Sequence, residues 1–361
     1  MSSSTLFARR LTHVVLALFM ASAWPAPVIA EPITFTNYNI ENYLSDNAVN
    51  GVYASRNTIY AATSFGLNIS TDGGSHWTYS TTNNGLGSNI VYGVYANGST
   101  VYAATFGGGL SISGNGGTSW TTYTTANGLG SDTVYNVYAR SSAIYAATTI
   151  GLSVSTNGGA NWTNYTTANG LGDNTVYSVY ASGDALYAGT DGGLGISTNG
   201  GASWTNYTTL SGLGNNAING VYADGGVIYA ATSGGLSTSS DGGLNWTTYT
   251  TTNGLGNNIV YGVYANGSTV YAATFGGGLS ISGNGGTSWT TYTTANGLGD
   301  NRVNGVFVSG DTIYAATASG LSISGVPEID PTTGSSALSL VAGVLAMIER
   351  RRRGLASALT V

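Results

Sequence analysis

Apolar and polar side chains alternate along short runs through the middle of the chain, and the runs recur in a fixed order. In residues 175–216, VYSVYA alternates, ALYAGT and LGIS follow, STNGGASW brings Asn and Gly together, and WTNYTT alternates again. Period-2 runs bounded by Gly, Asn and Asp read as β-strands. Each unit therefore predicts four short strands, and no segment of the repeats has helical periodicity. Tryptophans 77, 120, 162, 204, 246 and 289 stand 43, 42, 42, 42 and 43 residues apart.

A period near 42 in strand-rich sequence predicts the blades of a propeller. The opening fragment ITFTNYNIENYLSDNAVNGVYA fixes how the ring closes. Phe35 precedes Val52 by 17 residues, as Trp204 precedes Val221, so Phe35 stands in the tryptophan column and begins a fourth strand that has no first three. The last unit, VNGVFV, TIYAAT and LSIS, has three strands and lacks a fourth. Three plus one makes a blade. The fold expected over residues 31–325 is an all-β, seven-bladed propeller of four-stranded blades, its last blade completed by the N-terminal strand. Closure of this kind removes free sheet edges, which invite aggregation.

The turns before the tryptophans read STDGGSHW, SGNGGTSW, STNGGANW, STNGGASW, SSDGGLNW and SGNGGTSW. A short Asp or Asn side chain is expected to accept backbone N–H bonds two residues on, while the glycines supply positive φ. These turns resemble the Asp-box (BNR) repeat of sialidases, xyloglucanases and sortilin-like propellers, with Asp72, Asn115, Asn157, Asn199, Asp241 and Asn284 at the Asp position and Trp77, Trp120, Trp162, Trp204, Trp246 and Trp289 after them. Four of the six are Asn. A turn tolerates that exchange and a metal site would not. NGLGDNTVYSVYASGDALYAGTDGGL also resembles the two-component-regulator propeller repeat. Both resemblances imply a fold, not an activity.

Composition then limits the chemistry. Charged residues are 7% of the chain, there is no cysteine, and the basic residues are all arginine. Between residues 31 and 325 only Arg56, Arg140 and Arg302 are basic, so nucleic acid is not an expected partner. The 25 tyrosines supply the apolar area that a core requires despite 56 glycines.

The two ends read as addresses. Residues 1–30 carry Arg9-Arg10, an apolar run and a small-residue site ending at Ala30, the pattern of a secretory signal cut by signal peptidase. Residues 326–361 carry Val326-Pro327-Glu328, an apolar span at 332–348 and Arg350, Arg351, Arg352 and Arg353. This resembles the PEP-CTERM sorting signal. That resemblance implies an exosortase-type partner, transient membrane contact through the tail, and delivery to the envelope, surface or extracellular matrix of a Gram-negative bacterium, among exopolysaccharide.

A lone histidine in the domain, His76, disfavours Ser-His-Asp chemistry and histidine metal sites. Arg56 and Arg140 fall in turns on one face and Arg302 on the other, so a sialidase-like arginine triad is not expected. A glycoside hydrolase would need two carboxylates within roughly 5–10 Å; Asp46, Asp132, Asp173, Asp300 and Asp191 share a face, in Gly-rich turns where Asp and Asn interchange. The loop after the second strand varies most between repeats. Phe65, Phe106, Phe275 and Asp191 stand there and Arg302 stands beside it, making them the candidate ligand contacts. The reading is a monomeric, non-catalytic binding or structural protein for polysaccharide or a surface protein, with no cofactor and no metal. A glycoside hydrolase and an envelope assembly factor or receptor are the alternatives.

Overall fold

The computed structural model describes residues 33–324, which form seven antiparallel sheets of four strands each. Blades are numbered here in chain order, and strands from the axis outward. Blade 1 runs through Val49–Ser55, Thr58–Thr63, Gly66–Ser70 and Thr78–Ser80. Blade 7 takes Val303–Ser309, Thr312–Thr317 and Gly320–Ser324 from the C-terminal side and Phe35–Tyr38 from the N-terminal side. Phe35 pairs with Ser324 and Tyr38 with Leu321, so the ring closes as the phasing of the repeats predicts. Ala30, Pro327, Glu328 and Arg350 to Arg353 lie outside the described residues.

Seven buried clusters occupy the seams between blades rather than one common centre. Between blades 1 and 2, Leu67, Leu86, Val91 and Val101 are buried with Trp120 packed against them. Between blades 6 and 7, Phe35 joins Leu279, Leu298 and Val303. Five of the seven seams are also clamped at the rim by a tyrosine that ends one blade and meets the tryptophan of the next; at the blade 6–7 seam Tyr292 meets Phe35, and at the blade 1–2 seam Ser80 Oγ donates to Gly117 O instead. Tyr165 lies edge-on to Trp204 at 5.8 Å, Tyr207 to Trp246 at 5.9 Å, and Tyr249 to Trp289 at 5.9 Å.

The Gly-Gly turns exist for that clamp. In blade 1, Ser70 Oγ donates to Asp72 Oδ1 at 2.9 Å, Gly74 N–H donates to Ser70 Oγ at 2.8 Å, and His76 N–H donates to Asp72 Oδ1 at 2.9 Å. The Asp or Asn oxygen therefore captures the N–H four residues on, not two as the sequence suggested, because the two glycines widen the turn. The second glycine is required twice. Gly201 has φ 95°, and a Cβ there would fall 2.5 Å from the ring of Tyr165 in the preceding blade.

The outer strands end in single 3₁₀ turns, which leave no helical periodicity in the sequence. In Thr82–Asn84, the N–H of Thr81 donates to Asn84 Oδ1 at 3.0 Å and Gly85 closes the turn at φ 97°. A three-residue turn is too short to show a period, and its signature is the capping residues.

Two predictions follow from these contacts. Deleting residues 33–47 removes the strand that completes blade 7. Losing the buried Phe35 side chain alone costs about 3–5 kcal/mol, roughly 10 °C of melting temperature for a domain of this size. Calorimetry should show at least that loss, and a single melt at the parent temperature would contradict closure. The second concerns acid. The N–H groups of His76 and Asn245 hold the carboxyls of Asp72 and Asp241 at about 2, below the usual 3.8. Stability from a depressed carboxyl is present above its unfolded value and is lost as pH falls through the folded value. Changing both to Asn, the residue at the other turns, should leave the melting temperature at pH 7 within about 2 °C and flatten its fall between pH 4 and 2. An undiminished acid slope would contradict this.

Candidate functional site: the mouth of the central channel

The innermost strands of the blades pack against one another around the axis, and their close approach shapes the site. In each of them the register slips by one residue after the first position, as between Val49 and Gly51 or Val91 and Gly93. The third position is glycine in five of the strands, where a Cβ on Gly51 would lie 2.9 Å from the carbonyl oxygen of Tyr92, and is Asn136 in blade 3 and Ser178 in blade 4. A β-bulge re-aims the extra residue. Here the bulged residues are Asn50, Tyr92, Tyr135, Tyr177, Asn219, Tyr261 and Asn304, and with Arg302 they line a cavity of about 400 Å³ at the channel mouth.

The asparagines are partly committed to the ring. Asn50 Nδ2 donates to Val91 O at 2.9 Å, Asn219 Nδ2 to Val260 O at 2.9 Å, and Asn304 Nδ2 to Val49 O at 2.8 Å, each reaching the next blade. The tyrosines supply aromatic faces: Tyr135 stacks on Tyr92 at 5.6 Å and lies 5.3 Å from Tyr177. Burial raises the hydroxyls of Tyr92 and Tyr177, with Asp191 adding to the effect at Tyr177.

Deeper in the channel a second ring narrows it. Tyr53, Tyr95, Tyr138, Tyr180, Tyr222, Tyr264 and Phe307 form an unbroken circle with neighbouring centroids 4.7 to 5.3 Å apart. Burial first, and then the charge of fellow tyrosines, pushes the hydroxyls of Tyr53, Tyr95, Tyr180 and Tyr222 up, Tyr180 to about 12.

The candidate residues read from the sequence divide into groups. Phe106 and Phe275 turn inward to the mouth, edge-on to Tyr92 at 5.8 Å and Tyr261 at 5.7 Å, and remain 48% and 41% exposed. The Arg302 guanidinium lies over both Tyr261 (5.6 Å) and Phe275 (5.4 Å), with Nε donating to Asn304 Oδ1 at 3.2 Å. Asp191, in the loop after the second strand of blade 4, acts on Tyr177 through its charge but is not among the residues that line the cavity. Phe65 does not join them; it lies in a separate groove with Tyr43, Trp77 and Tyr79. Among the carboxylates, Asp46, Asp132, Asp173 and Asp300 each accept a backbone N–H of their own loop, at 3.2, 2.7, 2.7 and 2.7 Å. The two tyrosine rings were missed in the sequence. Their signal was the doubled tyrosine of VYxVYA, concealed because that strand reads as regular alternation.

No protein-family model matches the chain, and no curated protein matches it. Solved structures do share the fold. One is described as the extracellular domain of a hybrid two-component system, BT3049, from B. thetaiotaomicron: TM-score 0.71 and 21% identity, covering 82% of this chain and 42% of that one. YCF48 from Cyanidioschyzon merolae matches at TM-score 0.61 and 17% identity, covering 82% and 99%. An ancestral GH74 enzyme matches at 0.59 and 19%, covering 80% and 46%. The chain spans about two fifths of the length of the first three structures it matches. At these identities the likeness is one of fold.

The inner ring generates a test in alkali. A tyrosine held above its ordinary value of 10 contributes stability that is intact below pH 10 and is lost as pH rises through the folded value. Tyr180→Phe with Tyr222→Phe, copying Phe307, should move the midpoint of base unfolding upward while the melting temperature at pH 7 stays within about 4 °C. An unmoved alkaline midpoint would mean that these hydroxyls do not govern base unfolding.

Proposed function

We propose that the chain is an exported, non-catalytic binding propeller that holds a glycan at the channel mouth. The observation that carries this reading is the set of bulged tyrosines, whose ring faces and hydroxyls border a cavity together with asparagine amides and one arginine. A sugar ring offers apolar C–H faces to stack on aromatic rings and hydroxyl edges to hydrogen-bond. Commitment of four aspartates to their own loops supports binding over glycoside hydrolysis, which needs two free carboxylates facing one bond. The secretory pattern ending at Ala30 and the extracellular setting of the B. thetaiotaomicron domain support export. The PEP-CTERM-like tail is proposed as the element that an exosortase-type enzyme recognises at the envelope.

The test replaces Phe106 and Phe275 by serine, the residue that follows the same threonine in blades 1 and 5 as Ser64 and Ser233. Each stacked aromatic is worth about 1 kcal/mol beyond its buried area, so each single change should weaken binding of a long polysaccharide roughly fivefold. The two changes together should cost more than their product on a long polymer, because the sites act through effective concentration. Affinity electrophoresis that shows equal binding, or a loss tracking the melting temperature, would sink the proposal.

A further inference from the structure

We infer that blade 1 carries a second carbohydrate site, an aromatic groove on its outer rim formed by Tyr43, Phe65, Trp77 and Tyr79. The groove encloses about 360 Å³ and shares no lining residue with the channel mouth, so it does not rest on the reading of that mouth. Tyr43, Phe65 and Tyr79 are 74%, 54% and 54% exposed.

Three of these aromatics are departures from what the other blades carry at the same places. Tyr43 closes a 3₁₀ turn at φ 80°, where the other six such turns close with glycine. A bulky side chain in the left-handed region is strained, and such strain concentrates where a function requires the residue. Tyr79 takes the place of residues that tie the outer strand to the preceding loop: Asn164 Nδ2 donates to Gly128 O at 3.0 Å and Asn206 Nδ2 to Gly170 O at 2.7 Å. Phe65 precedes the loop's last glycine, where blade 5 has Gly234, sealed so tightly that a Cβ would lie 2.2 Å from Gly214 O. Blade 1 gives up a glycine turn, a hydrogen bond and a glycine seal, and every exchange brings an exposed aromatic ring to one groove. Packing alone explains none of them.

The chemistry of the groove selects its occupant. Among the described residues no charged side chain lines it. It offers ring faces and phenol hydroxyls, which suit the C–H face and hydroxyl edge of a neutral sugar. Proline-rich peptides dock on aromatic grooves as well, but a polyproline segment presents carbonyl acceptors and no donors, whereas the phenol hydroxyls here both donate and accept, as a sugar's hydroxyls do. The indole N–H of Trp77 is already given to Gly74 O at 3.0 Å. A neutral glycan is therefore the ligand class.

The experiment puts in residues that other blades carry at these places, in the full chain: Tyr43→Gly, Phe65→Gly (glycine in blades 2, 4, 5 and 6) and Tyr79→Thr, singly and together. Probes are neutral hexaoses of glucan, mannan and galactan type, with decaproline in parallel, followed by calorimetry. At least one hexaose should bind, each single change should weaken it about fivefold, and the triple variant should lose more than about fiftyfold. Its melting temperature should hold or rise, because glycine relieves the strain at position 43. The Phe106→Ser, Phe275→Ser variant separates the two sites. Loss of hexaose binding only in that variant overturns the groove and leaves the mouth; loss only in the blade 1 variant does the reverse. Binding of decaproline alone, of no hexaose, or a triple variant that binds as the parent does, overturns the inference.

Discussion

Convergence of seven strands on one axis is the constraint from which the rest of this structure follows. Where they meet, backbones approach so closely that a Cβ on Gly220 would lie 2.9 Å from Tyr261 O, as Gly51 would against Tyr92. The strands relieve the crowding with a bulge, followed by glycine in five of the seven, and the bulge throws the second residue toward the channel. The mouth is thus a consequence of closure, not an addition to it. Only the identity of the bulged residue is free. Asparagine there bonds to the next blade, and tyrosine leaves a ring face at the cavity.

Repetition within the chain serves as its own reference. Residues 89–130 and 258–299 are identical, and the structure gives them the same contacts, Tyr92 with Phe106 and Tyr261 with Phe275 at 5.8 and 5.7 Å. The difference between the two comes from the following loop. Blade 7 begins with Arg302 where blade 3 begins with Thr133, so only one of the twin pairs lies under a guanidinium. Duplication copied the aromatic pair, and the neighbour made its two copies chemically unequal.

The blade count and the ring closure were legible, because Trp spacing and the stranded Phe35 are long-range signals that local geometry cannot blur. Finer features were not. The bulge hides inside a strand that reads VYSVYA, since inserting one residue leaves the letters alternating while it turns a side chain by half a period. Phe65, Phe106 and Phe275 looked equivalent because each stands near Gly in a loop after TIYAAT or TVYAAT. Yet Phe106 and Phe275 directly follow the threonine in loops one residue longer, whereas Phe65 comes two after it. That offset sends one ring to the rim and two to the axis.

Blade 1 shows that its departures are compensated and not decayed. In blade 2 the loop glycine Gly87 donates its N–H to Ser111 Oγ at 2.9 Å. In blade 1 the same two places hold Ser45 and Asn68. The longer amide accepts the N–H of Ser45 at 2.8 Å and returns a bond from Nδ2 to Ser45 Oγ at 2.8 Å, and Asn68 is fully buried. A buried amide left without partners would cost more than the serine it replaces. The Asn68 amide is thus fully paired, with Thr63 Oγ1 as a further acceptor for Nδ2 at 3.3 Å, and the loop stays closed beneath Tyr43 and Phe65. A blade that had merely drifted would show the aromatic residues over unpaired polar groups. This one shows them over a bonded pair, which keeps the floor of the groove rigid while its walls remain exposed.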